Sequence, residues 1–369
     1  MIRVLQVFGR MDRGGSETMI MNIYRNIDRT KVQFDFAVHT KDNCAFDEEI
    51  KALGGRIYSV PRLNLKNALL YKKVWKDLLL DHPEWKIVHG HIMSSARMHL
   101  AVANELGRYT ISHSHSISAG SGKKALVKRL LEQRIKADYY MACSKAAGLF
   151  LFGENKVKSE LFKVLPNAIS TNDYDNNPLV RDKVRKAFNT TDEALIGHVG
   201  SFTDVKNHRF LLEIFSAIKK KQFNAKLMLV GDGPLRSGIE TKAKELGIYD
   251  DIIFTGVRSD VNELLQAMDY FVFPSLFEGL PVTLVEAQTS GLPITMSDKV
   301  PEESILTIDL VTVMSLEQSA DEWADHILSR LGKERYSHVE EIKTAGYDIA
   351  DTSKWLEEFY LSKANEMRQ

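Results

Sequence analysis

At 369 residues the chain exceeds what one ordinary hydrophobic core organises, so two domains are expected. It is 44% hydrophobic and 27% charged, with 49 basic residues matched by 49 acidic ones, which is the composition of a soluble globular protein and argues against a general nucleic-acid binder. Cys44 and Cys143 lie far apart with no CxxC pair, which excludes a disulfide framework and a cysteine-based zinc site and suits a reducing compartment.

In chain order, the first predicted strand is Arg3–Phe8. Its apolar run is short, carries Arg3 and meets Arg10, Asp12 and Arg13, so it reads as a strand rather than a signal peptide. A helix follows over Thr18–Ile27, where Met19, Ile20, Ile23, Tyr24 and Ile27 form one apolar stripe. Further strands are expected at Phe34–His39, Lys86–His89, Thr110–His113, Tyr139–Ala142 and Lys163–Leu165. The series breaks at Ala168–Asn177, a polar and irregular stretch after Pro166-Asn167, which sets a first domain of 1–170. A second series, Leu195–Val199, Lys226–Val230, Ile252–Phe254, Tyr270–Phe273 and Leu292–Thr295, fills a domain of 171–352. Its helix Phe210–Lys220 is striped by Leu211, Leu212, Ile214, Phe215 and Ile218. Residues 353–369 form a last amphipathic helix, with Trp355, Leu356, Phe359, Tyr360 and Leu361, expected to pack back on the first domain.

Apolar strands alternating with helices predict an α/β protein: two doubly wound, Rossmann-like parallel-sheet domains facing across a cleft. Ligands of such sheets sit at the carboxyl ends of the strands. No stretch approaches the ~18 apolar residues of a spanning helix, so a cytoplasmic protein is expected, at most peripheral at the inner face of the membrane.

The motifs narrow the chemistry. Gly14-Gly15 follows the first strand and opens the first helix; such a pair serves phosphate loops and plain structural turns alike. It does not complete GxGxxG with Gly9, which lowers the case for a nicotinamide dehydrogenase, and Gly120–Lys124 is no P-loop, because Ile117 holds the first glycine position. The strongest signal is Phe277–Ala287, FEGLPVTLVEA, directly after the strand Tyr270–Phe273. Pro281 suits the first helical turn and Gly291 its end. Glu278 then stands in the loop and Glu286 on the helix, two carboxylates able to accept from sugar hydroxyls, with Gly279 and Leu280 offering amides to phosphate.

Pro274–Ala287 resembles the Glu–seven residues–Glu motif of family 4 retaining glycosyltransferases, which have the GT-B fold. The resemblance extends over nearly the whole chain: Gly14-Gly15 to the N-terminal glycine pair, Pro166-Asn167 to the hinge, Gly231-Asp232-Gly233-Pro234 and Phe254-Thr255-Gly256-Val257 to loops of the second domain. It implies Gly14, Gly15, Ser201, Val257, Arg258, Gly279, Leu280 and Glu286 at the donor, Glu286 on the ribose hydroxyls and Val257 and Arg258 beside the base. It also implies catalytic roles for Lys206 on the diphosphate, Glu278 on the transferred sugar and His115 beside that sugar. His91 and His113 fall on the acceptor side. One departure stands out: Ser201 occupies the usual place of an arginine, and a hydroxyl does not replace a bidentate guanidinium on phosphate. Either Lys206, backbone amides and Arg209 suffice, or the enzyme is slow, or the chain is a silent partner.

His89, His91, His113 and His115 cluster at two strand ends, but no Cys or carboxylate accompanies them at zinc-like spacing, so no metal and no cofactor is expected. Asp173-Tyr174-Asp175 sits in the polar hinge and reads as solvated linker. Residues 120–136, rich in Lys and Arg beside an apolar stripe, fit an ordinary surface helix or docking on an anionic membrane. The implied reaction is metal-independent, retaining transfer of a hexose or N-acetylhexosamine from a nucleotide diphosphate sugar, a UDP-sugar first, to a glycan or lipid-linked acceptor. A nucleotide-sugar epimerase and a catalytically silent partner are the rivals.

Overall fold

The computed structural model describes residues 1–64, 66–115, 135–221 and 223–367; most of the basic segment 120–136 therefore lies outside the described residues. The chain divides into two compact units. One comprises Met1–Ala168 and the chain from Asp348 on, the other Ile169–Tyr347.

The first unit holds a seven-stranded sheet of β1 (Ile2–Phe8), β2 (Val32–Val38), β3 (Ile57–Ser59), β4 (Trp85–Gly90), β5 (Tyr109–Ser114), β6 (Tyr139–Ala142) and β7 (Phe162–Val164). The order is β3-β2-β1-β4-β5-β6-β7 and every pairing is parallel. Buried on both faces, the central strands read as nearly unbroken apolar runs: Val4, Val7, Phe34, Phe36, Val88 and Ile111 are at most a few per cent exposed. The C-terminal helix Ile349–Glu366 is capped by Asp348, which accepts from the amides of Ala350 and Asp351. Its Leu356, Tyr360 and Ala364 share a core with Val4, Phe8, Ile87 and Ile111.

The second unit holds a six-stranded parallel sheet of β8 (Ala194–Val199), β9 (Ala225–Val230), β10 (Ile252–Gly256), β11 (Tyr270–Phe273), β12 (Ile294–Ser297) and β13 (Val311–Met314), ordered β10-β9-β8-β11-β12-β13. In both sheets the order reverses once, between β1 and β4 and between β8 and β11, and each reversal opens a crevice at the carboxyl ends of the strands.

The chain crosses between units at Ala168/Ile169 and Tyr347/Asp348. Ile169 belongs to the second unit because its side chain is buried with Val285, Ile342 and Tyr347 and its amide donates to the Tyr347 carbonyl at 2.9 Å. The short edge strands β3 and β13 have no counterpart among the predicted strands. Ile57–Ser59 and Val311–Met314 are largely half-buried or exposed, so neither presents a continuous apolar run.

Candidate functional site

The loops at the carboxyl edge of the second sheet interlock through glycine. Gly231, just past β9, has φ +137°, and a Cβ there would lie 2.1 Å from the Gly200 carbonyl oxygen beyond β8; only glycine allows that approach. The Gly231 amide donates to the Gly256 carbonyl at 2.9 Å, tying in the end of β10. The loop after β8 then makes one turn over Asp204–Lys206 and passes through Asn207, φ 54°, into the helix His208–Lys220. The Leu276 amide donates to the Val205 carbonyl at 2.8 Å and Asn207 Nδ2 to the Pro274 carbonyl at 3.1 Å, so this loop is stitched to the one after β11.

That stitching brings Lys206 and Glu278 together. Lys206 Nζ donates to Glu278 Oε1 at 2.6 Å and lies 4.7 Å from the centre of the Phe273 ring. Their side chains are only 16% and 13% exposed, which strengthens the pair relative to a surface ion pair. Ser201 is exposed, its Oγ 3.5 Å from Thr203 Oγ1. Arg209 lines a cavity of about 300 Å³ with Thr203, Asn207 and Pro234, and makes no ion pair among the described residues.

Pro281 is the N-cap of the helix Val282–Thr289, and Gly291 ends the turn beyond it with φ +67°. Gly279 faces open space, with no atom within 4 Å of a would-be Cβ, while Leu280 packs against the cluster of Ile169 and Val285. Glu286 is half-buried, and burial raises its carboxyl above the usual range, an effect opposed by the Tyr174 hydroxyl, which donates to Oε1 at 2.8 Å. Reading Asp173-Tyr174-Asp175 as solvated linker therefore fails for Tyr174. Thr171–Tyr174 is a short helical turn, and its tyrosine packs with Ile169, Val285 and Leu280. An aromatic residue inside an otherwise polar run was the only signal of this in the sequence. After β10, Val257 is 68% exposed and Arg258 holds Asp260 in a two-bonded pair at 2.8 and 2.6 Å. Among the described residues no hydrogen bond joins Val257 or Arg258 to Lys206, Glu278 or Glu286.

In the first unit Gly14 is the N-cap of the helix Gly15–Asn26. A Cβ on Gly14 would meet Glu17 Oε2 at 2.4 Å, whereas the nearest atom to one on Gly15 is Asn167 Nδ2 at 4.0 Å. The four predicted histidines gather at the ends of β4 and β5. His91 Nε2 lies 2.9 Å from Gln6 Oε1 and His91 Nδ1 2.9 Å from His115 Nε2. Gln6 Nε2 donates to the Tyr360 hydroxyl at 3.2 Å, and that hydroxyl is 2.6 Å from His89 Nδ1. Burial holds His89, His91 and His113 well below the usual histidine range and pushes His115 down to about 3, so the cluster is neutral. His91 and His113 are 7% and 1% exposed, and their rings lie inside the stack rather than on a surface.

Ligand atoms of His89, His91 and His113 fall within 4.8 Å of one another. The rings, however, are stacked: His89 and His91 at 4.2 Å and 27°, His89 and His113 at 5.3 Å and 13°, His113 and His115 at 4.1 Å and 30°. Imidazole lone pairs lie in the ring plane, so stacked rings aim them side by side instead of at one ion.

Comparison with known proteins places this architecture. The profile "Glycosyltransferase Family 4" matches residues 13–173, and "Glycosyl transferases group 1" matches 193–333. EpsF of Bacillus subtilis (strain 168) is 37% identical over 94% of this chain and 93% of its own length. The capsular polysaccharide biosynthesis glycosyltransferase CapH of Staphylococcus aureus is 24% identical over 98% of this chain and 99% of its own. Among solved structures, Anabaena Alr3699/HepE in complex with UDP superposes with a TM-score of 0.78 at 17% identity, covering 98% of this chain and 100% of that one. Both halves thus carry the family's profiles, and a relative matches almost end to end: the chain belongs to the family 4 glycosyltransferases of GT-B fold, and acts with a sugar-nucleotide donor.

Proposed function

We propose that this glycosyltransferase moves a hexose or N-acetylhexosamine from a UDP-sugar to a glycan or lipid-linked acceptor in surface-polysaccharide synthesis, with retention and without a metal ion. The observation that carries the reading is the 2.6 Å contact of Lys206 with Glu278 at the carboxyl edge of the second sheet, with Glu286 about one turn into the helix that follows. Glu286 takes the ribose hydroxyls, since a half-buried carboxylate with Oε1 already held by Tyr174 keeps Oε2 for a diol. Lys206 takes the diphosphate, with the amides of Gly279 and Leu280 ahead of a helix N-terminus, where developing negative charge is favoured. Glu278 then passes from Lys206 to the sugar hydroxyls. Val257 and Arg258 flank the base, and Gly14 and Gly15 open the helix N-terminus offered by the first unit. His115 is assigned to the transfer step by family resemblance.

UDP is favoured because the structural neighbour HepE is described in complex with UDP. Metal independence is supported by the stacked histidine rings and by a lysine on the diphosphate in the role a cation would take. We read the protein as cytoplasmic, at most peripheral at the inner face of the membrane.

The test is transfer from UDP-sugars after chelation of divalent ions, with the anomeric configuration of the product read by NMR. Retention at an unchanged rate is expected; inversion, or activity only with added cation, contradicts the proposal.

A further inference from the structure

The short helix Val261–Ala267 sets Leu264, Leu265 and Ala267 into the core of the second unit. Gln266, between them, is only 2% exposed. A buried side-chain amide is costly unless its polar atoms are paired, and both ends of this one are. Gln266 Nε2 donates to the Tyr174 carbonyl at 2.9 Å, and Gln266 Oε1 accepts from the Asn177 amide at 3.0 Å. A backbone carbonyl only accepts and a backbone amide only donates, so the two partners fix which way the side chain is turned. Neither leucine nor glutamate at this position satisfies both.

The segment so bracketed is polar. From Ser170 to Asn177 only Tyr174 is aromatic or apolar, and Asn172 and Asp173 are exposed. One turn earlier on the same helix, Asn262 Nδ2 donates to the Asp173 carbonyl at 3.3 Å. Residues four apart share a helix face, and from that face Asn262 and Gln266 hold two consecutive carbonyls of the turn that presents Tyr174. The Tyr174 hydroxyl then reaches Glu286 Oε1 at 2.8 Å.

The bracket is itself anchored. The main-chain carbonyl of Gln266 accepts from Arg335 Nη1 at 2.8 Å and from Arg181 Nη1 at 3.2 Å. Arg335 Nε also donates at 3.0 Å to the carbonyl of Ser290, the C-cap of the helix that carries Glu286. Glu286 is thus tied to one short helix twice, by Arg335 at the end of its own helix and by Tyr174 at its carboxylate. That short helix starts from Asp260, which Arg258 holds in a two-bonded pair, so it joins the segment assigned to the base to the carboxylate assigned to the ribose.

We infer that Gln266 is a positioning residue for the nucleotide ribose. It fixes the Tyr174 backbone so that the tyrosine hydroxyl engages Glu286 Oε1 and leaves Oε2 for the ribose diol. Gln266 touches no substrate, and its effect reaches the nucleotide only through Tyr174. The inference rests on the ribose reading of Glu286 and deepens it.

The test is calorimetric binding of UDP and of its 2′,3′-dideoxy analogue, which has no diol for Glu286 to accept from. Wild type is expected to bind UDP about tenfold or more tightly than the analogue, the scale of hydrogen bonds to a charged group. Gln266→Leu is expected to lose about tenfold on UDP and to bind the analogue like wild type, which also verifies its folding. Tyr174→Phe should give the same pattern, and Gln266→Leu/Tyr174→Phe should be no weaker than the weaker single variant, because both act on one contact. Should Gln266→Leu not fold, Asn262→Ala, which removes only the partly exposed bond to Asp173, is read in the same way and is expected to lose about threefold on UDP alone. With wild type discriminating, equal losses on both ligands, no loss on either, or losses that multiply in the double variant overturn the role of Gln266. Wild type that binds both ligands equally overturns the ribose reading of Glu286 itself, and this inference with it.

Discussion

Tyr174 donates its hydroxyl to Glu286 Oε1 at 2.8 Å, so the first helical turn of the second unit helps to hold the carboxylate assigned to the nucleotide ribose. Burial raises the Glu286 carboxyl and the tyrosine counters it. Tyr174→Phe is therefore expected to raise it further and to weaken UDP binding about tenfold near neutral pH, the scale of one hydrogen bond to a charged group. Calorimetry across pH checks this: the acidic limb of UDP affinity should move to higher pH in the variant, and binding should recover partly on the alkaline side. A uniform loss at every pH would assign Tyr174 a packing role only.

The same burial has a stability consequence. A carboxyl raised in the folded state contributes most below its unfolded value, and that contribution is lost as pH rises through the folded value. Glu286→Gln keeps the oxygen that Tyr174 addresses and removes the buried charge. Its thermal midpoint should match wild type in acid and exceed it increasingly above the ordinary glutamate range. Differential scanning fluorimetry from acid to mildly alkaline pH reads this directly.

The histidine stack titrates in the opposite sense. His89, His91, His113 and His115 are held below the ordinary histidine value by burial. An unfolded chain binds protons that the folded one refuses, so stability is present above the unfolded histidine value and is lost as pH falls below it. Wild type should lose urea resistance between neutral pH and mild acid. His113→Leu, which removes two ring nitrogens without partners among the described residues, should lose less.

Lys206 and Glu278 shield each other. Lys206→Met leaves a mostly buried carboxylate without its partner and is expected to cost about 2 kcal/mol of stability, as well as about 100-fold in kcat through lost stabilisation of the leaving diphosphate. The double variant Lys206→Met/Glu278→Gln should regain most of the stability and none of the turnover. Urea melts and steady-state kinetics on the four proteins of the cycle separate the two effects.

Gly291 offers a check on local geometry. With φ +67° and a would-be Cβ 2.3 Å from the Tyr336 carbonyl oxygen, Gly291→Ala must shift backbone and should destabilise by about 2 kcal/mol or more. A neutral thermal shift would contradict that packing.

The central strands were legible because burial on both faces leaves an apolar run, as in Tyr270–Phe273, seen with the predicted bounds. Two of the four edge strands were not: Ile57–Ser59 and Val311–Met314 are short and partly wet, and their pairing is set by neighbours remote in sequence. The helix carrying Glu286 was readable from Pro281 and Gly291. The partner of Glu286 was not, because Tyr174 lies 112 residues away in a polar segment, and only the fold brings them together. Likewise, the histidines were visible as two pairs, while the stack through Gln6 and Tyr360 depends on the C-terminal helix covering the first sheet.

The proposed nucleotide site on the second unit is built around Glu286 and Lys206. The most direct measurement is calorimetric binding of UDP and GDP, in chelator, to wild type and to Glu286→Gln. UDP is expected to bind wild type without metal and the variant at least about tenfold more weakly. Binding of neither nucleotide, or equal binding to both proteins, would contradict it.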